Sequence, residues 1–313
     1  MSEITRVAVI GTGVIGSGWA IRFLAHGLDV IAADPAPDAE VRMRASVANA
    51  WPALEQRGLT EGASPDRLEF CKEVADAVSR ADFVQEAAPE DEKLKRELLS
   101  TIDAVAPAPI VIASSSSGLL PTRIQADCAH PERVLIGHPF NPVYLLPLVE
   151  IVGGERTGSD AKRLAENFYR SIGMRPLQVR TEIEGYLGNR LQEAIWREAL
   201  HMVAEGVATT EEIDAAITLG PGLRWAFMGP FLTYHTAGGE GGMAHVLDHF
   251  GPSLDLPWTK LKAPEMTDEL NSQLIEGTRA QAAGKSVAEL ERSRDACLIQ
   301  IQDAIAAHWP LPR

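Results

Sequence analysis

Hydrophobic positions follow two different rhythms in the two parts of this chain. Up to Glu184, short apolar runs alternate with longer stretches of helical periodicity. The runs Arg6–Ile10 (RVAVI), Asp29–Ala33 (DVIAA), 83–85, 110–113, 134–137 and 148–152 read as buried strands, and Val14–Ala25 and Glu92–Val105 as helices between them. Strands separated by helices imply right-handed crossovers and a mostly parallel sheet covered on both faces. Past Glu184 the strand pattern stops. Segments 187–203 and 210–219 are helical in period, the second opened by Thr209 or Thr210 as cap with glutamates in its first turn. A stretch rich in Gly and Pro over 220–242 reads as loop, and 286–307 as a further helix. The expectation is an α/β domain over 1–184 and an all-helical domain over 185–313.

A length of 313 residues suits two such domains. Composition, with 45% hydrophobic and 23% charged residues, is ordinary for a globular protein, but the charge excludes a class of partner. A net charge of −14 offers no basic surface for a phosphate backbone, so no nucleic acid is expected. No apolar run approaches the length that spans a bilayer, so no membrane partner is expected either. The first strand begins within a few residues of the start, which leaves no room for a secretory signal. Cys71, Cys128 and Cys297 have neither metal-binding spacing nor an even count, so no metal is expected and the thiols read as those of a reduced, cytoplasmic protein.

Candidate chemistry starts at the end of the first strand. Gly11-Thr12-Gly13-Val14-Ile15-Gly16 is a G-x-G-x-x-G that closes a strand and opens a helix. The first glycine makes the turn, the second admits a pyrophosphate, and the third packs helix on strand, while N–H groups from Val14 and Ile15 onward face the phosphates. The second strand ends at Asp34, 34 − 11 = 23 residues on, where a carboxylate meets the adenosine ribose and repels the 2′-phosphate of NADP. The expected fold of the first domain is therefore Rossmann-type, and the expected cofactor is NAD.

His138-Pro139-Phe140-Asn141-Pro142 follows the run at 134–136, at a strand's carboxyl end, where open α/β sheets carry their chemistry. Glu150 lies 150 − 138 = 12 residues further, within the next apolar run, where an unpaired carboxylate is costly. A His–Glu pair would fix the imidazole tautomer and stabilise the charge the ring gains on taking a hydroxyl proton as hydride leaves. A surface histidine with an edge-strand or capping glutamate fits the residues equally well. Ser114 to Ser117 are open in the same way, either capping the next helix or presenting hydroxyls to a substrate oxygen.

Taken together, "GTGVIGSGWA", "ASSSSGL", "HPFNPVYLLPLVE" and "EGYLGNRLQEA" resemble the L-3-hydroxyacyl-CoA dehydrogenase superfamily over essentially the whole chain. The resemblance implies His138 as general base, Glu150 as its orienting partner, and Ser117 and Asn189 as hydrogen-bond partners of the substrate oxygen. It also implies that Glu90 and Lys95 lie near the nicotinamide half of NAD; read as bare residues these two would pass for a solvated helix face. A homodimer, formed through the helical domain that also takes part in substrate binding, is implied in the same way.

Two features depart from the acyl-CoA enzymes: the serine run Ser115-Ser116-Ser117-Gly118, and "GLRWAFMGPF", which brings in Arg224 and Trp225. Together with "NPVYLLPLVEIVGG", "GLRWAFMGPFLTYHTAGGEGGMAHVLDHFGP" and "PWTKL", they resemble the branch that acts on small free 3-hydroxy acids, with L-carnitine the implied substrate and L-gulonate or a 3-hydroxyacyl-CoA the competing readings. Carnitine carries a trimethylammonium with no N–H to donate, so aromatic faces would recognise it. Phe140, Tyr144, Tyr186, Trp196, Trp225, Phe231 and Tyr234 fall around these motifs, each equally able to be core packing. The candidate substrate contacts are Ser115, Asn141, Tyr144, Arg224, Trp225 and Tyr234.

Overall fold

A computed structural model describes residues 4–238, 240, 242–250, 258–260, 265, 267–270, 272 and 283–308. Contacts divide the chain into two compact units, Met1–Arg190 and Leu191–Arg313.

The first unit is built on eight strands: β1 Arg6–Ile10, β2 Asp29–Ala33, β3 Leu68–Cys71, β4 Phe83–Glu86, β5 Ile112–Ser114, β6 Val134–Pro139, β7 Leu148–Gly153 and β8 Arg175–Val179. Their order in the sheet is β3-β2-β1-β4-β5-β6-β7-β8. The first six are parallel and have the 3-2-1-4-5-6 order of dinucleotide-binding sheets. β7 runs antiparallel to β6 because only residues 140–147 join them, too short a link for a crossover. β8 returns parallel to β7 through the helix Ser159–Ser171.

Two of these strands, β3 (LEFC) and β8 (RPLQV), carry no continuous apolar run, and they are the two edges of the sheet. An edge strand is half solvated and tolerates charge and proline, which is why the hydrophobic pattern did not reveal them. The inner strands pack against α1 (Val14–Ala25), which is buried from Gly16 onward. Trp19, Phe23, Phe83, Phe168 and Tyr169 pack together with ring centroids 4.4–5.7 Å apart on that face, in stacked, tilted and edge-to-face pairs. A polar thread crosses this core: Tyr169 donates to Gln85 Oε1 (2.7 Å), and Ser115 Oγ accepts from Gln85 Nε2 (2.8 Å) and Trp19 Nε1 (3.0 Å). Further helices are α2 (Ala39–Arg57), α3 (Val74–Val78), α4 (Glu92–Val105), α5 (Pro121–Ile124) and α6 (Ser159–Ser171).

The second unit is helical, with no strand among its described residues. It holds most of α7 (Gly188–Ala204), then α8 (Thr210–Thr218), α9 (Pro221–Trp225), α10 (Pro230–Ala237), α11 (Gly242–Phe250) and α12 (Val287–His308). Thr209 caps α8, and Thr209 and Glu212 form a reciprocal capping box. The expected loop over 220–242 is corrected: α9 and α10 occupy much of it. Pro221 and Pro230 each stand at a helix start, where the missing N–H has no intrahelical partner to lose. The start of α7 falls in the first unit because it is tied to Glu150 and Ser117. Residues 239, 241, 251–252, 257 and 261 of the stretches that resemble the small-acid branch lie outside the described residues.

Candidate active site

The strands β1, β2, β4, β5 and β6 bring their carboxyl ends to one edge of the sheet. Strand order reverses between β1 and β4, and a cavity of about 640 Å³ opens there. It is lined by Gly11 to Ile15, by Ala33 to Ala36 at the end of β2, and by Ala87 to Pro89 after β4, with Val74, Leu94 and Leu98 as apolar walls. Gly11 has φ +91° and a Cβ there would stand 2.6 Å from Ala87 O, so the turn admits only glycine. Nothing lies within 4 Å of the position of a Cβ on Gly13, which leaves the backbone open to a phosphate at the start of α1. Asp34 Oδ2 accepts from Thr12 N (2.8 Å) and Thr12 Oγ1 (3.0 Å), and Oδ1 accepts from Ala36 N (2.8 Å). Asp34 thus staples the glycine turn to β2, and a carboxylate's four acceptor sites leave room for a ribose hydroxyl as well. Open backbone at Gly13, an apolar wall and a carboxylate at the β2 end fit a dinucleotide.

His138 and Glu150 are direct cross-strand partners on β6 and β7, so both side chains leave the same face. His138 Nδ1–H donates to Glu150 Oε2 at 2.8 Å, with Glu150 fully buried and His138 nearly so. That bond assigns the proton to Nδ1 and leaves Nε2 as an acceptor. Glu150 Oε1 accepts from Leu187 N and Gly188 N, each at 3.0 Å. Gly185 and Tyr186, at φ +73° and +47°, form the left-handed turn that aims these two N–H groups. Burial is the largest single influence on the Glu150 carboxyl and pushes its pKa up. The donors His138, Gly188 and Leu187 together outweigh it and hold the group below the ordinary carboxylate range. Phe140 and Tyr186 both meet the imidazole edge to face, at 4.9 and 5.4 Å between centroids. Burial keeps the Tyr186 phenol protonated, and its hydroxyl donates to Leu119 O at 2.7 Å.

Four further expected residues, Asn189, Ser117, Glu90 and Lys95, are linked to one another beside this pair by hydrogen bonds and an ion pair. Next to Gly188, Asn189 Nδ2 donates to Ser117 O (2.9 Å). Glu90 Oε1 then accepts from Ser117 N (2.8 Å), Gly118 N (2.9 Å) and Ser116 Oγ (2.6 Å). Lys95 Nζ lies 3.8 Å from Glu90 Oε2 and donates to Ala88 O (2.9 Å) and Glu86 Oε1 (2.8 Å). Lys95 is therefore a buried cation rather than part of a solvated helix face. The serine run does not cap α5, whose N-cap is Leu120.

Ser115 Oγ accepts from Gln85 Nε2 and Trp19 Nε1 inside the core. Ser117 and Asn141 are exposed and Tyr144 is half-buried. Arg22 of α1 fastens the loop that carries Asn141 and Tyr144, donating to Val143 O (2.9 Å) and Leu146 O (3.2 Å). Arg224, Trp225 and Tyr234 are exposed residues of the second unit, in or next to α9 and α10. Sequence reasoning missed Glu86, Arg22 and the anchoring role of Tyr186. Glu86 ends the run FVQE, and the expected strand stopped one residue short of it.

The 3-hydroxyacyl-CoA dehydrogenase NAD binding domain model matches residues 6–183, and that family's C-terminal domain model matches 185–278. An L-carnitine dehydrogenase of Bacillus cereus is 57% identical over 309 residues, covering 99% of this chain and 95% of that protein. An L-carnitine dehydrogenase of Burkholderia mallei is 58% identical, covering 98% and 97%. Among solved structures, 5-formyl-3-hydroxy-2-methylpyridine 4-carboxylic acid 5-dehydrogenase, an NAD+-dependent dismutase, aligns with TM-score 0.81 at 30% identity, covering 97% of this chain and 99% of that one. The (S)-3-hydroxybutyryl-CoA dehydrogenase of Ralstonia eutropha aligns with TM-score 0.62 at 26% identity, covering 90% and 95%. The chain belongs to the 3-hydroxyacyl-CoA dehydrogenase family and is an NAD-dependent 3-hydroxy acid dehydrogenase.

Proposed function

We propose that the chain oxidises the 3-hydroxyl of L-carnitine to 3-dehydrocarnitine, with His138 as base and Glu150 as the group that orients it. The observation that carries the substrate is 57–58% identity to L-carnitine dehydrogenases over nearly the full length of both chains. Gly11, Gly13, Val14, Ile15, Gly16 and Asp34 would hold the adenosine and pyrophosphate of NAD, with Glu90 and Lys95 toward its nicotinamide end. NAD+ supplies the hydride acceptor. Nε2 of His138 takes the hydroxyl proton as the carbon is oxidised, and Glu150 stabilises the imidazolium so formed. The two backbone donors on Glu150 keep that carboxylate ionised and fixed, so the ring stays aimed as its charge changes. Ser117 and Asn189 are assigned to the substrate oxygen, and Asn141 and Tyr144 to the substrate's surroundings.

Arg224 is assigned to the carboxylate and Trp225 and Tyr234 to the trimethylammonium, since a quaternary cation is held by aromatic faces. Trp225→Leu or Tyr234→Leu should then raise KM for carnitine by up to about thirtyfold with KM for NAD unchanged. Unchanged carnitine KM in both variants would place the cation elsewhere. The reading includes a cytoplasmic homodimer, supported by three free thiols and by exposed Leu191, Ile195 and Trp196 on α7; light scattering at a single chain mass would contradict the dimer. The activity itself is tested by mixing the protein with L-carnitine and NAD+. NADH and a 3-keto acid should form in equal amounts, and a wild-type protein that forms neither would refute the reading.

A further inference from the structure

Glu86 and Lys95 are the most deeply buried ion pair in the first unit, with side chains 0% and 1% exposed. Two charges taken out of water cost several kcal/mol each, and their attraction repays this only with good geometry and satisfied lone pairs. Both conditions hold. Glu86 Oε1 accepts from Lys95 Nζ (2.8 Å) and Ala88 N (2.5 Å), and Oε2 accepts from Ser114 Oγ. Lys95 Nζ in turn donates to Ala88 O at 2.9 Å. Both backbone polar groups of Ala88 are thus held by one ion pair. Ala87, Ala88 and Pro89 form a wall of the dinucleotide cavity, and the next residue, Glu90, accepts three hydrogen bonds from Ser116, Ser117 and Gly118. The loops after β4 and β5 therefore share one polar hub, which reaches the cavity wall on one side and Ser117 on the other.

We propose that Glu86 is a positioning residue of the hydride-transfer site: it fixes the 87–91 connection so that the cofactor wall and Ser117 are set together. The hub concerns the NAD-dependent reaction and holds whichever 3-hydroxy acid is the substrate. Glu86→Asp is the discriminating variant. It keeps the buried charge opposite Lys95, but its carboxylate is one methylene too short to hold Lys95, Ala88 N and Ser114 together. Equilibrium binding of NADH is read by fluorescence, the thermal midpoint by calorimetry, and KM and kcat separately. The expected result is NADH affinity weakened about tenfold and kcat lowered about tenfold, with KM for the hydroxy acid changed less and the midpoint near wild type. Ser114→Ala, which removes one hydroxyl from the hub and leaves the ion pair whole, covers the case in which Glu86→Asp does not fold. It should weaken NADH binding a few-fold, the worth of about one hydrogen bond. Wild-type NADH affinity and kcat in a folded Glu86→Asp protein, or in Ser114→Ala where Glu86→Asp does not fold, would overturn the proposal. So would a Glu86→Asp protein whose losses appear only as a lowered midpoint.

Discussion

In the proposed mechanism the bond from His138 Nδ1 to Glu150 Oε2 couples the base to its orienting partner, and their substitutions should behave as those of one unit. His138→Ala and Glu150→Gln should each lower kcat about a thousandfold, and the double variant should be little worse than the poorer single. NAD affinity should barely change, because neither residue lines the dinucleotide cavity. Near-normal kcat in Glu150→Gln across the pH range would remove Glu150 from the mechanism. Glu150 also links stability to pH. Its folded pKa is depressed, so the ionised carboxylate stabilises the fold above the unfolded value of about 4, and this is lost as the pH falls through the folded value. The difference in thermal midpoint between wild type and Glu150→Gln should therefore shrink as the pH drops below about 4, and a constant difference would contradict that sign. His138 and Glu150 were legible as candidates because one follows a buried strand at its carboxyl end and the other interrupts an apolar run. Lys95 was a candidate only through the resemblance: a lysine reads as solvated, but it lies on the buried stripe of α4 with Leu99 and Ile102, where Glu86 pairs with it.

Among the elements, the junction of β6, β7 and the start of α7 does most to shape the site. α7 presents Leu187 N and Gly188 N to Glu150, and a Cβ at Gly188 would fall 2.2 Å from Phe140 Cζ. Gly188→Ala should cost about 1–3 kcal/mol through overpacking. It should also lower kcat, as Phe140 or the helix start shifts away from the His–Glu pair. Thr209→Ala breaks the capping box of α8 and should cost about 1 kcal/mol while leaving kcat intact. Equal kinetic effects of the two would mean that Gly188 matters only for folding. The inner strands and the helices α1, α4, α7, α8 and α12 were legible because burial imposes a period on them, whereas α2 and α6 were not read from the pattern. The edge strands β3 and β8 were not, and α9 and α10 were hidden by the prolines that open them.

For the molecule as a whole, the proposed reading assigns cofactor choice to the glycine turn and the carboxylate of Asp34 after β2. Wild type should strongly prefer NAD to NADP. Asp34→Asn removes the negative charge while keeping an oxygen for Thr12 N, and should narrow that preference about tenfold, partly by weakening NAD itself. Equal use of both cofactors by wild type would contradict the role given to Asp34. The dinucleotide half of the site was readable because its motif is local in sequence, whereas substrate identity was carried only by resemblance, in a unit whose aromatics could equally be packing. The most direct measurement is therefore kcat/KM with NAD for L-carnitine, L-gulonate and 3-hydroxybutyryl-CoA on one preparation. The account predicts that L-carnitine is preferred by orders of magnitude, and a higher value for either competitor would contradict it.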